Sequence, residues 1–457
     1  MATAPTPFLA AVAAYVDDHR QAFLDELCDL VRQPSISSED VGVEACADHL
    51  VATMRRSGLS ARLLATRNKP VVYGERLVAT DRPTVLVYGH YDVQPVDPLD
   101  AWDSPPFEPI VRHGRLYGRG TSDNKGQHLA QLLGIRATLA VAGELPVNVK
   151  VVLEGEEECS SPHLAEFVEG NRELLAADVV YTSDGPVHDS GEPTVVLGVR
   201  GILCLELRAR GARSDLHSGN RGGVVPNPAW ELVRLLATMV DAEGTVTVDG
   251  FGEGVTPPTD AERAAIERLP VDVDAHLRTY GIDRLPPPEG LGFYDRLMLR
   301  PTLNIAGLAS GSTGEGFKTI VPATAMARID VRLVPDQDPD GVFAAVAAHV
   351  AARAPGVEVT RVGAMPPSRT PVDNPYTQAV VGALTDVWGR EPLVLPSLGG
   401  TLPDYVFTRL LGLPSLLVPY ANADQANHAP NENLELERFY TGIRTCAAVL
   451  QRIAAVR

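Results

Sequence analysis

Four short apolar runs, at residues 84–88, 147–153, 179–182 and 415–419, constrain this chain more than any other feature. Each is compact and rich in Val and Leu, the pattern of a strand covered on both faces. Helical patterns at 23–32, 45–57 and 127–141 accompany the first three. A sheet buried on both sides is largely parallel, because crossover helices are what cover it. The expected main unit is therefore α/β. After Arg369 the texture returns, with a helix over 378–388, the run at 415–419 and a final amphipathic helix over 436–454.

From about Gly201 the pattern changes. Residues 202–210 alternate like a half-exposed strand, 228–240 read as a helix, 326–334 alternate again, and a helix over 342–352 precedes a strand over 357–361. These elements are read as the ferredoxin-like order, a small α+β domain with an open antiparallel sheet. The stretch 241–298, rich in Pro, Gly and charge, takes no assignment. The expected organisation has residues 1–200 and 371–457 building one catalytic domain, with residues 201–370 inserted.

With 58 acidic against 40 basic residues the net charge is −18. That disfavours a nucleic-acid or anionic-membrane partner, since both reward a basic surface. No apolar stretch approaches the roughly 18 residues of a membrane span, so none is expected. Residues 8–16 are apolar but lack a basic flank and run straight into Asp17, Asp18, His19 and Arg20, which reads as a helix start rather than a secretory signal. Cys28, Cys46, Cys159, Cys204 and Cys446 are scattered singly. Such spacing suits neither a disulfide scaffold nor a thiolate zinc site, and a reducing, cytoplasmic setting is expected.

Each apolar run hands over to a side chain that can bind a metal ion. The first delivers His90 and Asp92, the second Glu154, Glu156, Glu157 and Glu158, the third Asp184, and the fourth, through a loop, His428. Ligands gather at the carboxyl ends of strands in open parallel sheets, so the coincidence outweighs any single residue. Taken alone, His90 reads better as a hydrogen-bonded structural histidine and the acidic run as a solvated loop. Yet His90 and Asp92 share one face of an extended segment, where a carboxylate can accept the second imidazole N–H. Adjacent carboxylates, one ligating and one free to move protons, are what a metal hydrolase needs. Asp123, in Gly118-Arg119-Gly120-Thr121-Ser122-Asp123-Asn124-Lys125-Gly126, precedes a helix and reads either as its N-cap or as a further ligand. Two histidines with three or four carboxylates suit Zn²⁺ or another borderline divalent ion. A carboxylate-bridged pair of ions about 3.5–4 Å apart can share a water, lower its pKa and polarise a carbonyl.

These motifs, with Gly89-His90-Tyr91-Asp92-Val93-Gln94-Pro95, Glu154-Gly155-Glu156-Glu157-Glu158 and Ser183-Asp184-Gly185, stand in an order that resembles a known family. It is the co-catalytic dizinc metallopeptidases, which include carnosinase, bacterial dipeptidases, glutamate carboxypeptidase and aminoacylase; the carnosinase-like branch is nearest in wording. The resemblance spans nearly the whole chain. It implies a zinc-peptidase-like catalytic domain with a mostly parallel sheet, and an inserted domain serving as lid and dimerisation surface. It implies His90 and Asp184 on one metal ion, Glu158 and His428 on the other, and Asp123 bridging both. Zn²⁺ is expected first, with Mn²⁺ or Co²⁺ suiting the same donors. Glu157 becomes the general base and acid, Asp92 the residue that orients His90, and the Asp123–Asn124 peptide bond is expected to be cis.

In the inserted domain, Asp215-Leu216-His217-Ser218-Gly219 resembles the family segment whose histidine stabilises the oxyanion, often in the neighbouring subunit, which implies a homodimer. Arg332 stands where the dipeptidase branch holds the substrate carboxylate with paired hydrogen bonds. Thr319, and Gly400 and Thr401 of the Gly399-Gly400-Thr401 turn, are expected to add polar contacts. Read without the family, His217 is a turn histidine and Arg332 a solvated strand arginine. The chain departs from the family's wording at Cys159-Ser160-Ser161, where many relatives carry a small residue and then Gly-Ser. It also has its own spacing in Ala426-Asn427-His428-Ala429-Pro430-Asn431-Glu432. The expected activity is hydrolysis of dipeptides. An N-acyl- or N-carbamoyl-amino-acid amidohydrolase would use the same machinery, and a catalytically silent metal- or peptide-binding module is the alternative outside enzymes.

Overall fold

A computed structural model describes residues 6–456; the outermost bounds of the expected catalytic domain, residues 1–5 and 457, lie outside it. The larger sheet has eight strands. In spatial order they are Ser60–Leu64, Val71–Arg76, Asn148–Glu154, Thr84–His90, Val179–Thr182, Ser415–Leu417, Thr194–Val196 and Leu393–Leu395. The four central strands, from Asn148–Glu154 to Ser415–Leu417, pair in parallel, while Ser60–Leu64 and Val71–Arg76 add antiparallel at one edge. Alternate residues of these strands enter two different cores. Val85, Val87, Val149 and Val151 pack with Leu129, Leu132 and Phe439, whereas Leu86, Tyr88 and Val152 pack with Leu164 and Phe407. Burial on both faces, at about 1.5–3 kcal/mol per large apolar side chain, explains why these strands lack polar alternation.

The helix Lys125–Ala142 is buried from Lys125 through Ile135 and crosses Leu436–Ile453 closely. A Cβ at Gly134 would meet that of Cys446 at 2.5 Å, so only glycine permits the approach. Asn124, not Asp123, is the N-cap of this helix, which removes the cap reading of Asp123.

The smaller sheet is antiparallel, in the order Thr302–Ser310, Thr324–Leu333, Gly201–Arg210, Val357–Met365. The helices Pro228–Leu236 and Pro339–Arg353 cover one face, burying Leu232, Leu235, Val342 and Val346 against Leu203, Leu205 and Leu207. This is the ferredoxin-like order expected from the sequence. The strand Thr302–Ser310 escapes pattern reading because it is an edge strand, with Asn304, Ile305 and Leu308 exposed. The unassigned stretch holds three short helices, Asp260–Glu267, Val273–Tyr280 and Phe293–Met298. Ile266, Leu269, Tyr294 and Met298 pack on Val196, Leu395 and Leu417, at the edge of the larger sheet.

The chain enters the smaller sheet at Gly201 and leaves it after Met365, and the two passages lie side by side. Val199 N–H donates to the Ser368 hydroxyl at 3.0 Å, and Ser368 N–H donates to the Val199 carbonyl at 3.0 Å. Among the described residues no helix is long and apolar enough to cross a membrane.

Candidate metal centre

The four central strands end on one rim, and that rim gathers the candidate ligands. His90 is the last residue of Thr84–His90, and Asp184 follows Val179–Thr182 by two residues. His428 returns from a loop in which Ala426, His428 and Asn431 hold left-handed φ values of 55°, 56° and 64°. Asp123 stands at the turn into the buried helix, and its peptide bond to Asn124 is cis.

Asp123 lies between the two histidines. Its Oδ1 is 3.1 Å from His90 Nε2 and its Oδ2 is 3.1 Å from His428 Nε2. Glu158 Oε2 stands 3.2 Å from His428 Nε2, and Asp184 Oδ2 stands 3.6 Å from His90 Nε2. The five side chains thus form two half-sets, one for each oxygen of Asp123. Donor atoms of His90, Asp123 and Glu158 also lie within 4.8 Å of one another, so these three suffice for one ion. His90 Nε2 is buried without a hydrogen-bond partner. An orphaned imidazole nitrogen among carboxylates is out of place in a finished hydrogen-bond network and fits a cation.

Without an ion this cluster holds protons. Burial works against a charged His90, but Asp123, Asp184 and Asp92 raise its pKa well above the ordinary value. Hydrogen bonds to Asp123 and Glu158 push His428 up to about 10. Burial pushes Asp123 up, yet the same two histidines hold it below the usual carboxylate range. Glu157 behaves in the opposite way: burial raises it strongly, His90 offsets part of this, and Asp184, Glu158 and Asp123 add to the rise. A carboxyl that keeps a proton beside a cation site has the character of an acid–base group.

Asp92, expected to orient His90, stands beside its Nδ1 and also holds the neighbouring turn. Its carboxylate accepts the backbone N–H groups of Glu157 at 3.2 Å and Glu158 at 3.1 Å, and the Ser37 hydroxyl at 2.6 Å. His90 Nδ1 is closer to the Asp92 carbonyl, 3.1 Å, than to its carboxylate, 3.5 Å. Beyond this turn Ser160 and Ser161 take φ of 69° and 48°. The departure from the family's Gly at 160 therefore falls in the backbone region where glycine is at ease.

Two supports are not singled out in the sequence reading. Gln94 Nε2 donates to Glu158 Oε2 at 2.8 Å, and Glu432, wholly buried, pairs with Arg119 at 2.8 Å. Gln94 lies in a quoted motif, which was a pointer to it; Glu432 binds mainly backbone N–H groups, which no side-chain pattern reveals.

The substrate-contact candidates divide. Arg332 Nη1 donates to Thr401 Oγ1 at 2.8 Å, with Gly400 exposed beside them. His217 and Thr319 are exposed on the small ribbon that pairs Leu216–His217 with Ile320–Val321. His217 Nδ1 accepts the Gly219 N–H at 3.1 Å, and no hydrogen bond or ion pair among the described residues joins His217 to the carboxylate cluster.

A histidine- and carboxylate-lined centre on the rim of a parallel sheet defines a candidate metal-dependent hydrolase. The chain belongs to peptidase family M20/M25/M40, whose model matches residues 86–452. It is 30% identical to the Cys-Gly metallodipeptidase DUG1 of Saccharomyces cerevisiae, over 97% of this chain and 98% of that protein. It is 27% identical to the human Beta-Ala-His dipeptidase, over 98% and 94%. Among solved structures, the M20 family metallo-carboxypeptidase Sso-CP2 of Sulfolobus solfataricus superposes with a TM-score of 0.88 at 36% identity, covering 94% of this chain and 99% of that one.

Proposed function

We propose that this chain is a metal-dependent dipeptidase that cleaves the amide bond next to a free carboxylate. The observation that carries the reading is Asp123, whose two oxygens each stand 3.1 Å from a different histidine. Relatives named as dipeptidases, similar over nearly the full chain, support the substrate class.

His90, Asp184 and Asp123 would hold one divalent ion, and His428, Glu158 and Asp123 the other, with Zn²⁺ first and Mn²⁺ or Co²⁺ as alternatives. Ions bound there supply a Lewis acid and an acidified water. Glu157 takes a proton from the attacking water and returns it to the leaving amine nitrogen. Asp92 orients His90 and also fixes the turn that carries Glu157 and Glu158. Arg332 grips the terminal carboxylate of the peptide, with Thr319, Gly400 and Thr401 as further polar contacts.

Residues 1–200 and 371–457 form the catalytic domain in this reading, and 201–370 the lid. His217 serves the oxyanion of a neighbouring copy, which makes the protein a homodimer through the lid. Ile305 and Leu308 on the lid's edge strand, 46% and 55% exposed, support a partner-covered face. Light scattering tests it: a fully active monomer overturns the shared site. Unpaired cysteines support a cytoplasmic setting.

The test of activity is a mass-spectrometric time course with Zn²⁺ or Mn²⁺ against a pool of dipeptides, tripeptides, and N-acetyl and N-carbamoyl amino acids. Loss of dipeptides alone supports the proposal. Loss of acylated amino acids keeps the metal site and moves the substrate to the amidohydrolase alternative.

A further inference from the structure

Arg200 is the residue by which the chain leaves the larger sheet, immediately before Gly201–Arg210. It is 8% exposed, and no ion pair among the described residues includes it. A buried guanidinium without an anionic partner is uncommon, because taking the charge out of water is costly. Its Nε donates to the Gly399 carbonyl at 3.0 Å, and its backbone N–H to the Leu398 carbonyl at 3.2 Å.

Arg332 pairs across from Ile202 in the adjoining strand and bonds Thr401. Arg200 stands two residues before Ile202, just outside the strand, and the two arginines converge on the 399–401 turn, Arg200 at the Gly399 carbonyl and Arg332 at the Thr401 hydroxyl. Burial and the like charge of Arg332 bring Arg200 down to about 10. Asp330 stands 3.7 Å from Arg332 Nε and already accepts Asn304 Nδ2 at 2.8 Å. Two cations against one carboxylate leave this niche one negative charge short.

We propose that Arg200 is a second guanidinium of the substrate-carboxylate site, positioning the 399–401 turn through Nε while its charge, with that of Arg332, attracts the terminal carboxylate. The inference deepens the dipeptidase reading and rests on it. It makes Arg200 a specificity residue: free-acid peptides are accepted and C-terminal amides are disfavoured.

The experiment separates charge from scaffold. Arg200→Gln keeps a donor for the Gly399 carbonyl and drops the charge, whereas Arg200→Lys keeps the charge. On metal-loaded full-length protein, kcat and KM are measured for a dipeptide and for its C-terminal amide. Arg200→Gln is expected to raise KM for the free acid by about 10- to 100-fold, the scale of a charge-assisted hydrogen bond, with kcat and the amide's KM little changed. Arg200→Lys recovers part of the preference. An equal loss on both substrates, or no change in KM, overturns the proposal. Should Arg200→Gln not fold, Arg200→Lys decides: an intermediate KM confined to the free acid supports it, and a uniform change or none overturns it.

Arg332→Gln, run alongside, tells the two readings apart. If it abolishes the free-acid preference and Arg200→Gln does not, only the role of Arg200 fails. If the wild type hydrolyses neither peptide, the dipeptidase reading fails, and calorimetric binding of N-acetylglycine against its amide decides the role of Arg200 by the same comparison.

Discussion

Asp123 N–H donates to Glu432 Oε1 at 3.0 Å, so the carboxylate between the two histidines is placed by a second, wholly buried carboxylate. Glu432 Oε1 also accepts the Ser122 N–H at 2.9 Å and its hydroxyl at 3.0 Å, while Oε2 accepts the Gly120 N–H at 2.9 Å and Arg119 Nη1 at 2.8 Å. Glu432 follows His428 by four residues, so one side chain ties the loop of Asp123 to the loop of the distal histidine.

Glu432→Ala leaves Arg119 buried without its anionic partner, with only the Pro95 carbonyl, 3.0 Å from Nη2, still accepting from it. The expected loss is about 3–5 kcal/mol in urea unfolding, with metal affinity weakened about 10- to 100-fold. Glu432→Gln restores an acceptor without the charge and should fall between. Unchanged affinity in both variants would show that the Asp123 loop keeps its shape without the clamp.

Glu157→Ala should lower turnover by about 10²- to 10⁴-fold, the usual worth of a positioned acid–base group. Bound metal, counted by plasma mass spectrometry, should stay at the wild-type level because Glu157 stands outside both half-sets. Activity near the wild type would assign the proton to another residue.

Metal uptake should release protons. Raised pKa values leave His90 and His428 charged near neutrality, the latter titrating at about 10, and an imidazole ligand must be neutral. Calorimetric titration with Zn²⁺ at pH 7, in buffers of different ionisation heat, should show on the order of two protons released. Affinity should rise with pH. For the ion-free protein the sign is opposite: a histidine raised from 6.5 to about 10 stabilises fully below pH 6.5, and that contribution is lost as pH rises through 10. Release of no protons would mean that both rings are neutral before the metal arrives.

Glu154 offers an independent pH test. It is 3% exposed, accepts the Tyr88 and Ser161 hydroxyls, and is raised by burial from 4.5 to about 7. A raised carboxyl favours the folded state while protonated, so its contribution is complete below pH 4.5 and lost as pH rises through 7. Glu154→Gln keeps the acceptor and cannot ionise. At pH 8 the ion-free variant should exceed the wild type by about 2–3 kcal/mol, converging near pH 4.5. Parallel denaturation curves across that range would exclude Glu154 as the titrating group.

What was legible in the sequence follows from burial. Val179–Thr182 lies where its apolar run does, and Thr84–His90 differs by reaching two residues further, because strands covered on both faces betray themselves by composition. The edge strand Thr302–Ser310 has no such mark, and two-turn helices such as Asp260–Glu267 are too short for their period to stand out. His90 and Asp184 stand out as candidate ligands because one ends a strand and the other follows a strand by two residues. Glu432 and Arg200 look like ordinary polar residues; tertiary packing alone makes them buried charges.

Val199 and Ser368 hold the two passages between the sheets a pair of hydrogen bonds apart. The two ends of the inserted segment are therefore close enough for one short turn to join them. His90, Asp123, Glu157, Glu158, Asp184 and His428 all lie outside that segment, while Arg332 lies within it. A second attachment runs through Ile266, Leu269, Tyr294 and Met298, which share a core with Val196, Leu395 and Leu417, so an exchange at this seam would have to match that patch as well as the Arg332–Thr401 contact.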